Sequence, residues 1–522
     1  MTAPFAALRY YAPHGHPHAD AALDCDICIY GGTAGGVTAA VQAARDGLRA
    51  IVIENSNHLG GMTASGLGWT DFGNKATVGG LAREFYRRLG RHYGVDEQWC
   101  FEPSAAEKIF NDWLVETDTP VLRREYLASV RVCDGRIEAI QLESGLIVRA
   151  KVFIDATYEG DLLARAGVSY TVGREGNARY GETVNGMQIH AKHQFDYAVD
   201  PYRVEGAPGS GLLPGIDAAQ DYVLGADDRR IQAYNFRMCL TDRAENRIPF
   251  PRPAHYDRSQ YELLARYLRG GWNEVFAKFD RIPNGKTDTN NHGAVSTDFV
   301  GQNHAWPEAS YAEREKIFQA HVNYQQGLQW FLENDPAVPS AIRDAYAQWG
   351  LPKDEFVETG GWPHALYIRE ARRMVSDYVT TEHHCRGTTV APDPVGLGAY
   401  GMDSHNCRRI LLDGRLWNEG DVQAAGFPPY AIAWRSLIPR RGECSNLIVP
   451  VCVSASHIAY GSIRMEPVFM VLGQSAAIAA ALVVKESCAT QDLPYVALRE
   501  QLLRASQVLE VTGAAARPNA IV

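Results

Sequence analysis

The run Gly31-Gly32-Thr33-Ala34-Gly35-Gly36, followed by a carboxylate at Glu54, has the residue types and spacing to hold a diphosphate and a ribose. Glycines let backbone approach a pyrophosphate, the free N–H groups of a helix N-terminus bind it, and an acid ending the next strand accepts from a ribose hydroxyl. Glu54 lies 23 residues after Gly31, near the offset of about 20 expected for that acid. In the pattern G-x-G-x-x-G the first and third glycines are Gly31 and Gly36, while Thr33 takes the middle place. A β-branched residue there is a departure that the sequence alone does not explain.

The elements that must position these groups lie in the same stretch. Ile27 to Tyr30 reads as a strand, Val37 to Asp46 as an alanine-rich helix stopped by Gly47, and Arg49 to Ile53 as a second strand. Together they make a βαβ unit. The glycine-rich loop NSNHLGGMTASGLGWTDFGN follows and suits backbone that wraps a ligand. Next comes a helix with Leu81, Phe85 and Leu89 on one face. Ser104 to Glu107 reads as a capping box opening a helix that carries Phe110, Trp113 and Leu114. From Pro120 the period is that of strands, with turns at Asp134-Gly135 and Ser144-Gly145. This predicts a three-stranded meander feeding a final strand that ends in FIDATYEGDLLARAGV.

A meander after the first βαβ unit, then that strand, resembles the glutathione-reductase-type FAD-binding fold. Within it, the GGTxxG…E…LGGM signature is similar to bacterial FAD-dependent oxidoreductases. The resemblance implies an α/β chain: a Rossmann-like FAD-binding domain with a three-stranded β-meander, split in sequence around an inserted α+β substrate domain. The expected division is a leader over 1–23, FAD-binding parts over 24–168 and 424–490, a substrate domain over 169–423 and a C-terminal segment over 491–522. The implied FAD contacts are Gly31, Gly32, Thr33, Ala34, Gly35, Gly36, Glu54 and Asn55 in the first unit. To these it adds Gly60, Gly61, Met62, Ser65 and Gly66 in the loop, Val130 in the meander, and Asp155, Ala156, Thr157 and Gly160 at the final strand.

Near the C-terminus, the strand 446–453, the loop SASHIAYGSIRMEP and the apolar helix 468–484 are implied to return to the flavin, with Met470 to Gln474, Gly473 among them, at its carbonyl end. A flavin performs the redox step, so the protein must hold substrate, move a proton and exclude water. By analogy with the family's loops, Tyr400, Asp403, His405, His457 and Arg464 face the ring. An imidazole can take a hydroxyl proton as hydride leaves the same carbon, which favours His457 and then His405 as base. Arg464 could hold a substrate carboxylate or stabilise the flavin N1–O2 region, with a plain salt bridge to Glu466 or elsewhere as the competing reading.

The middle of the chain contains a capped helix from Ser310, with Glu313 three residues on, and a second helix over 366–382. On that second helix Arg369, Arg372 and Arg373 would share a charged surface face. A net charge of −10 and the absence of long basic runs argue against a nucleic-acid partner. The apolar run 468–484 is interrupted by Gly473, Gln474 and Ser475 and reads as a buried helix, so no membrane partner is expected. The first 23 residues lack a signal-peptide pattern, and a cytoplasmic location is expected.

The ten cysteines show no disulfide framework. Cys25-x-x-Cys28 overlaps the first strand and has no second pair at zinc spacing. His14, His16 and His18, and His383-His384-Cys385, read as a solvated tail and a loop, so no metal is expected. The expected activity is hydride removal from a small polar substrate such as a sugar, polyol or hydroxy acid, with electrons passing to an acceptor such as O2. The rivals are a flavin monooxygenase using NAD(P)H, for which no second glycine-rich βαβ unit is found, and a flavin-binding protein without catalysis.

Overall fold

The computed structural model describes residues 8–13 and 21–516, so His14, His16 and His18 fall outside the described residues. The βαβ unit forms as β1 (Ala22–Tyr30), α1 (Ala34–Arg45) and β2 (Ala50–Glu54). The last six residues of β1 are all buried, as in a strand covered on both faces. Further strands are β3 (Val121–Arg123), β4 (Leu127–Cys133), β5 (Arg136–Leu142) and β6 (Ile147–Asp155). They form one sheet in the order β3-β2-β1-β6-β5-β4, with β1 parallel to both β2 and β6. The glycine turn therefore sits at the carboxyl ends of β1, β2 and β6, where ligands of α/β sheets collect.

The predicted meander and the predicted final strand share a member. The start of β6 pairs antiparallel with β5, and its end pairs in parallel with a short strand, Leu447–Ile448. That short strand is all that forms of the strand expected over 446–453, because Pro450 offers no N–H to a ladder. Three helices follow the glycine turn: α2 (Gly61–Ala64), α3 (Gly80–Tyr93) and α4 (Pro103–Glu116). Leu81, Phe85, Leu89, Phe110, Trp113 and Leu114 are all buried, as their spacing predicts. The capping box at Ser104 does not form. The helix opens on Pro103 instead, whose fixed φ suits the first helical position. The Ser104 N–H and hydroxyl donate to the carboxylate of distant Glu355 at 2.9 and 2.8 Å.

The apolar run near the C-terminus is the core of a 21-residue helix, Glu466–Glu486. It is long and apolar enough to cross a membrane, but most of it is buried inside the fold. It packs along α1, where Thr38 Oγ1 donates to the Met470 carbonyl at 2.9 Å. A side chain at Gly473 would collide with the Gly35 carbonyl.

Between these cofactor-side elements the chain has few long elements. The helix Tyr311–Asn334 carries the predicted capping box at Ser310 and Glu313. The helix expected over 366–382 is absent. Residues there run extended, with Arg373–Met374 paired to Tyr170–Thr171, and only Glu382–Cys385 is helical. The arginines are not a surface face: Arg369, Arg372 and Arg373 are buried, and each reaches a different acid, Asp298, Asp161 and Glu175. Satisfying three buried cations in three directions overrides the helical spacing. The expected boundary at 423/424 falls inside the strand Val422–Ala424, which pairs with Met402–Ser404.

Candidate active site

Thr33 has a structural role the motif did not disclose. It caps α1, with Oγ1 accepting from the Gly36 N–H at 3.2 Å and donating to the Ala156 carbonyl at the end of β6 at 2.8 Å. The residue that breaks the glycine pattern thus ties the helix N-terminus to the sheet. Gly31 has φ +108°, and a Cβ there would lie 2.7 Å from the Ala156–Thr157 backbone. At Gly36 a Cβ would run into the Gly31 carbonyl. The turn closes only with glycine at both positions.

Beside it, Glu54 accepts from the Gly32 N–H at 2.7 Å and the Ser56 N–H at 2.8 Å. Burial raises its carboxyl pKa, with those hydrogen bonds pulling the other way. A cleft opens over this point. Of the predicted cofactor residues, Gly31, Thr33, Glu54, Asn55, Gly61, Met62 and Thr157 line it.

The other predicted cofactor residues support the cleft from behind. Ala34 and Ala156 are fully buried. Gly32 leaves room for Leu59 and Glu54, Gly35 for the Phe469 carbonyl, Gly60 for Phe110 and Gly66 for the Arg237 backbone. Ser65 Oγ accepts from the Ala365 N–H at 2.8 Å. Asp155 accepts from Thr157 and the Leu163 N–H, and burial pushes its pKa up to about 6. Gly160 precedes a short helix in a left-handed conformation. Val130 pairs with Ile140 in the meander. Gly473 and Gln474 lie two turns into their helix, away from its N-terminus, and Gln474 bonds to Leu81 and Gln42. The first turn of that helix offers Glu466 instead. Its carboxylate accepts from Thr63 Oγ1 at 2.6 Å and the Tyr158 hydroxyl at 2.8 Å, and burial pushes its pKa up to about 7.

Arg464, two residues before Glu466, belongs to a second, strongly polar cluster. Its guanidinium pairs with Asp403 at 2.8 Å, not with Glu466, and meets the Tyr367 hydroxyl at 3.2 Å. The Tyr367 ring meets two more cations, with the Arg369 and Arg237 guanidinium carbons 4.6 and 5.5 Å from its centroid. Arg237 is bidentate to Asp288 at 2.8 and 2.6 Å, and Arg369 pairs with Asp298 at 3.0 Å. Each guanidinium in the cluster has its own carboxylate. Asp71 feels the charges of Arg237, Asp288, Asp403 and Arg464, yet no hydrogen bond or ion pair engages its carboxyl among the described residues. It is half-buried, and burial raises its pKa. Tyr400, also half-buried, feels the same Asp71, Asp403 and Arg464 charges.

The two predicted bases differ in freedom. His457 is 2% exposed, with Nδ1 2.8 Å from Glu370 and Nε2 3.1 Å from Ser404 Oγ. Neither nitrogen is open to a substrate. His405 is held through Nδ1 by Asp298 at 2.9 Å, while Nε2 stands 3.6 Å from Asp403, beyond hydrogen-bond length. Burial would raise the Asp403 pKa, but His405 and Arg464 outweigh it and hold it far below the usual range. Asp71, Arg237, Asp288, Asp298 and Tyr367 were not singled out from sequence, and Arg369 was read there only as part of a charged surface face. Only Asp71 carried a local signal, its place in the loop after the glycine turn.

A family model described as FAD dependent oxidoreductase matches residues 26–502. The chain belongs to the FAD dependent oxidoreductase family. No curated protein matches it. Among solved structures, it is similar to L-amino acid deaminase from Proteus vulgaris at 10% identity, covering 32% of this chain and 54% of that one, with a TM-score of 0.25. It is also similar to L-proline dehydrogenase from P. horikoshii at 16% identity, covering 29% and 58%, with a TM-score of 0.25. The myxobacterial chondrochloren halogenase CndH matches at 14% identity over 29% and 41%, with a TM-score of 0.24. These matches span about half the length of those solved chains. Their low scores carry no argument about substrate.

FAD is the cofactor of this FAD dependent oxidoreductase, and the glycine turn fits it: Gly31 and Gly36 close a turn that admits no Cβ, at the N-terminus of α1 and on the wall of the cleft. The thiols have other places. All ten cysteines are free, with Cys25 and Cys28 buried in β1. His383 and His384 are engaged by the Tyr180 carbonyl and the Tyr378 hydroxyl. No group of three potential metal ligands occurs among the described residues.

Proposed function

We propose that this FAD dependent oxidoreductase removes a hydride from a hydroxyl-bearing carbon of a small neutral compound, a sugar or polyol. Residues 169–423 supply most of the substrate site. The observation that carries this reading is the arrangement around Asp71: three guanidinium–carboxylate pairs are closed on themselves, and one carboxyl is left over. A hydroxy-acid carboxylate would have to displace an internal acid from its arginine, leaving that acid buried and unpaired. A hydroxyl needs only an acceptor. Asp71, its pKa raised by burial and its carboxyl left without a partner among the described residues, takes the hydroxyl proton. His405, Tyr400 and Arg464, the last two beside Asp403, hold the remaining hydroxyls. His457 orients Ser404 and Glu370 from behind. FAD, held at the glycine turn Gly31–Gly36 and Glu54, would supply the hydride acceptor and the route for electrons to oxygen or another acceptor.

Anaerobic bleaching of the purified yellow protein tests this against a panel of sugars, polyols, hydroxy acids and amines. Bleaching by neutral polyhydroxy compounds is the expected result, and bleaching only by hydroxy acids or amines overturns it. Asp71→Asn should keep its flavin and reduce it about 10²- to 10⁴-fold more slowly.

A further inference from the structure

The segment Leu8–Ala12 lies in the stretch expected to be a leader, yet it is fastened across the cofactor cleft. The Tyr10 and Tyr11 N–H groups donate to Glu315 at 2.7 and 2.9 Å, and the Leu8 carbonyl accepts from Gln319 at 2.8 Å. Both partners stand on the helix Tyr311–Asn334. From the sheet side, the Tyr126 hydroxyl donates to the Tyr10 carbonyl at 2.7 Å, and the Tyr11 hydroxyl donates to Glu143 at 2.8 Å. The Tyr10 ring meets Trp306 edge-on at 4.7 Å. The segment is pinned on both sides of Arg9.

Arg9 itself has no hydrogen bond or ion pair among the described residues, and it lines the cleft. Among the described residues it is the only lysine or arginine that does so; the other charged groups there are Glu54, Glu159 and Asp161. Asp161 is already neutralised by Arg314 at 2.6 Å and Arg372 at 2.7 Å. Burial, opposed by Arg314 and reinforced by Asp161, pushes Glu159 up to about 7. A diphosphate brings negative charge into a cleft that otherwise supplies acids, histidines and backbone N–H groups. A guanidinium is the side chain best shaped to meet it.

We propose that Leu8–Ala12 is a strap over the cofactor site and that Arg9 pairs with the diphosphate of FAD. The strap's anchors hold the Arg9 backbone over the cleft, so less order has to be gained when the side chain engages a phosphate. Because it is pinned to both the sheet and the helix Tyr311–Asn334, the strap makes cofactor retention depend on the two parts of the molecule staying together.

The test is release of flavin from the full-length holoprotein on dilution, followed by the rise in free-flavin fluorescence at several salt concentrations. Arg9→Ala should release FAD roughly tenfold faster than wild type at low salt, and Arg9→Lys should fall between them. Wild-type release should quicken as salt rises, whereas Arg9→Ala should respond much less, because the screened pair is gone. Glu315→Gln, which loosens the anchor, should also speed release, and in combination with Arg9→Ala should add little. An Arg9→Ala protein with wild-type release rate and salt dependence overturns the proposal. Failure of the cofactor assignment would look different, as a wild-type protein purified without flavin absorbance.

Discussion

Two regions of this molecule are built by opposite means. At the glycine turn, the surface is shaped by backbone: Gly31 and Gly36 let the turn close, Thr33 fixes the helix end, and Glu54 is steadied by two N–H groups. Around Asp71 it is built from side chains: Arg237, Arg369 and Arg464 arrive from separate segments, each with its own acid, and converge on Tyr367. A backbone site is specified by a few neighbouring residues and fails all at once when one gains a side chain. A site of buried ion pairs is specified by long-range partners and fails by leaving a charge alone.

The largest effect should come from the backbone side. Gly36→Val drives a branched side chain into the Gly31 carbonyl, and the purified variant should show no flavin absorbance. If it stayed yellow, the contrast would collapse, because the turn would then tolerate a side chain where none fits. On the other side, Arg369→Leu leaves Asp298 buried with only His405 beside it and should cost about 3–5 kcal/mol of stability in denaturant titration. Adding Asp298→Asn should recover part of that loss, and no recovery would mean that the pairing is not what Arg369 contributes.

A third, smaller effect lies where the two sides meet. Glu466 holds its proton more tightly in the folded chain, with a pKa of about 7 against an ordinary 4.5. Its stabilising contribution is therefore full below about pH 4.5 and is lost as pH rises through 7. The loss is at most about 3 kcal/mol, the free energy of that shift. Glu466→Gln should flatten the pH dependence of the melting temperature over that window and be the more stable protein at pH 8. Glu159 shifts in the same direction and should leave a residual slope.

This contrast also explains what could be read from the chain before its structure. The βαβ unit, Glu54, the core faces of α3 and α4, and the Ser310 cap were legible because each is decided within a few residues. Thr33 was visible but unexplained, since its second partner is Ala156 at the end of another strand. The segment 366–382 was misread for the same reason on a larger scale. Its arginines have helical spacing, but their acids lie at 298, 161 and 175, and no local pattern announces those partners. His457 looked like an available base because its loop was legible and its neighbours Glu370 and Ser404 were not.

The close packing of Gly473 against Gly35 has a consequence for how the chain is made. These two residues are separated by roughly 440 others, so at ribosomal speeds of about 5–20 residues per second the first βαβ unit waits on the order of half a minute or more for the helix that covers it. During that interval the face of α1 that carries Gly35, Thr38 and Gln42 has no native cover from the helix Glu466–Glu486. The nascent protein is then most open to aggregation, and a chaperone or early capture of nucleotide at the finished glycine turn would matter most at that stage.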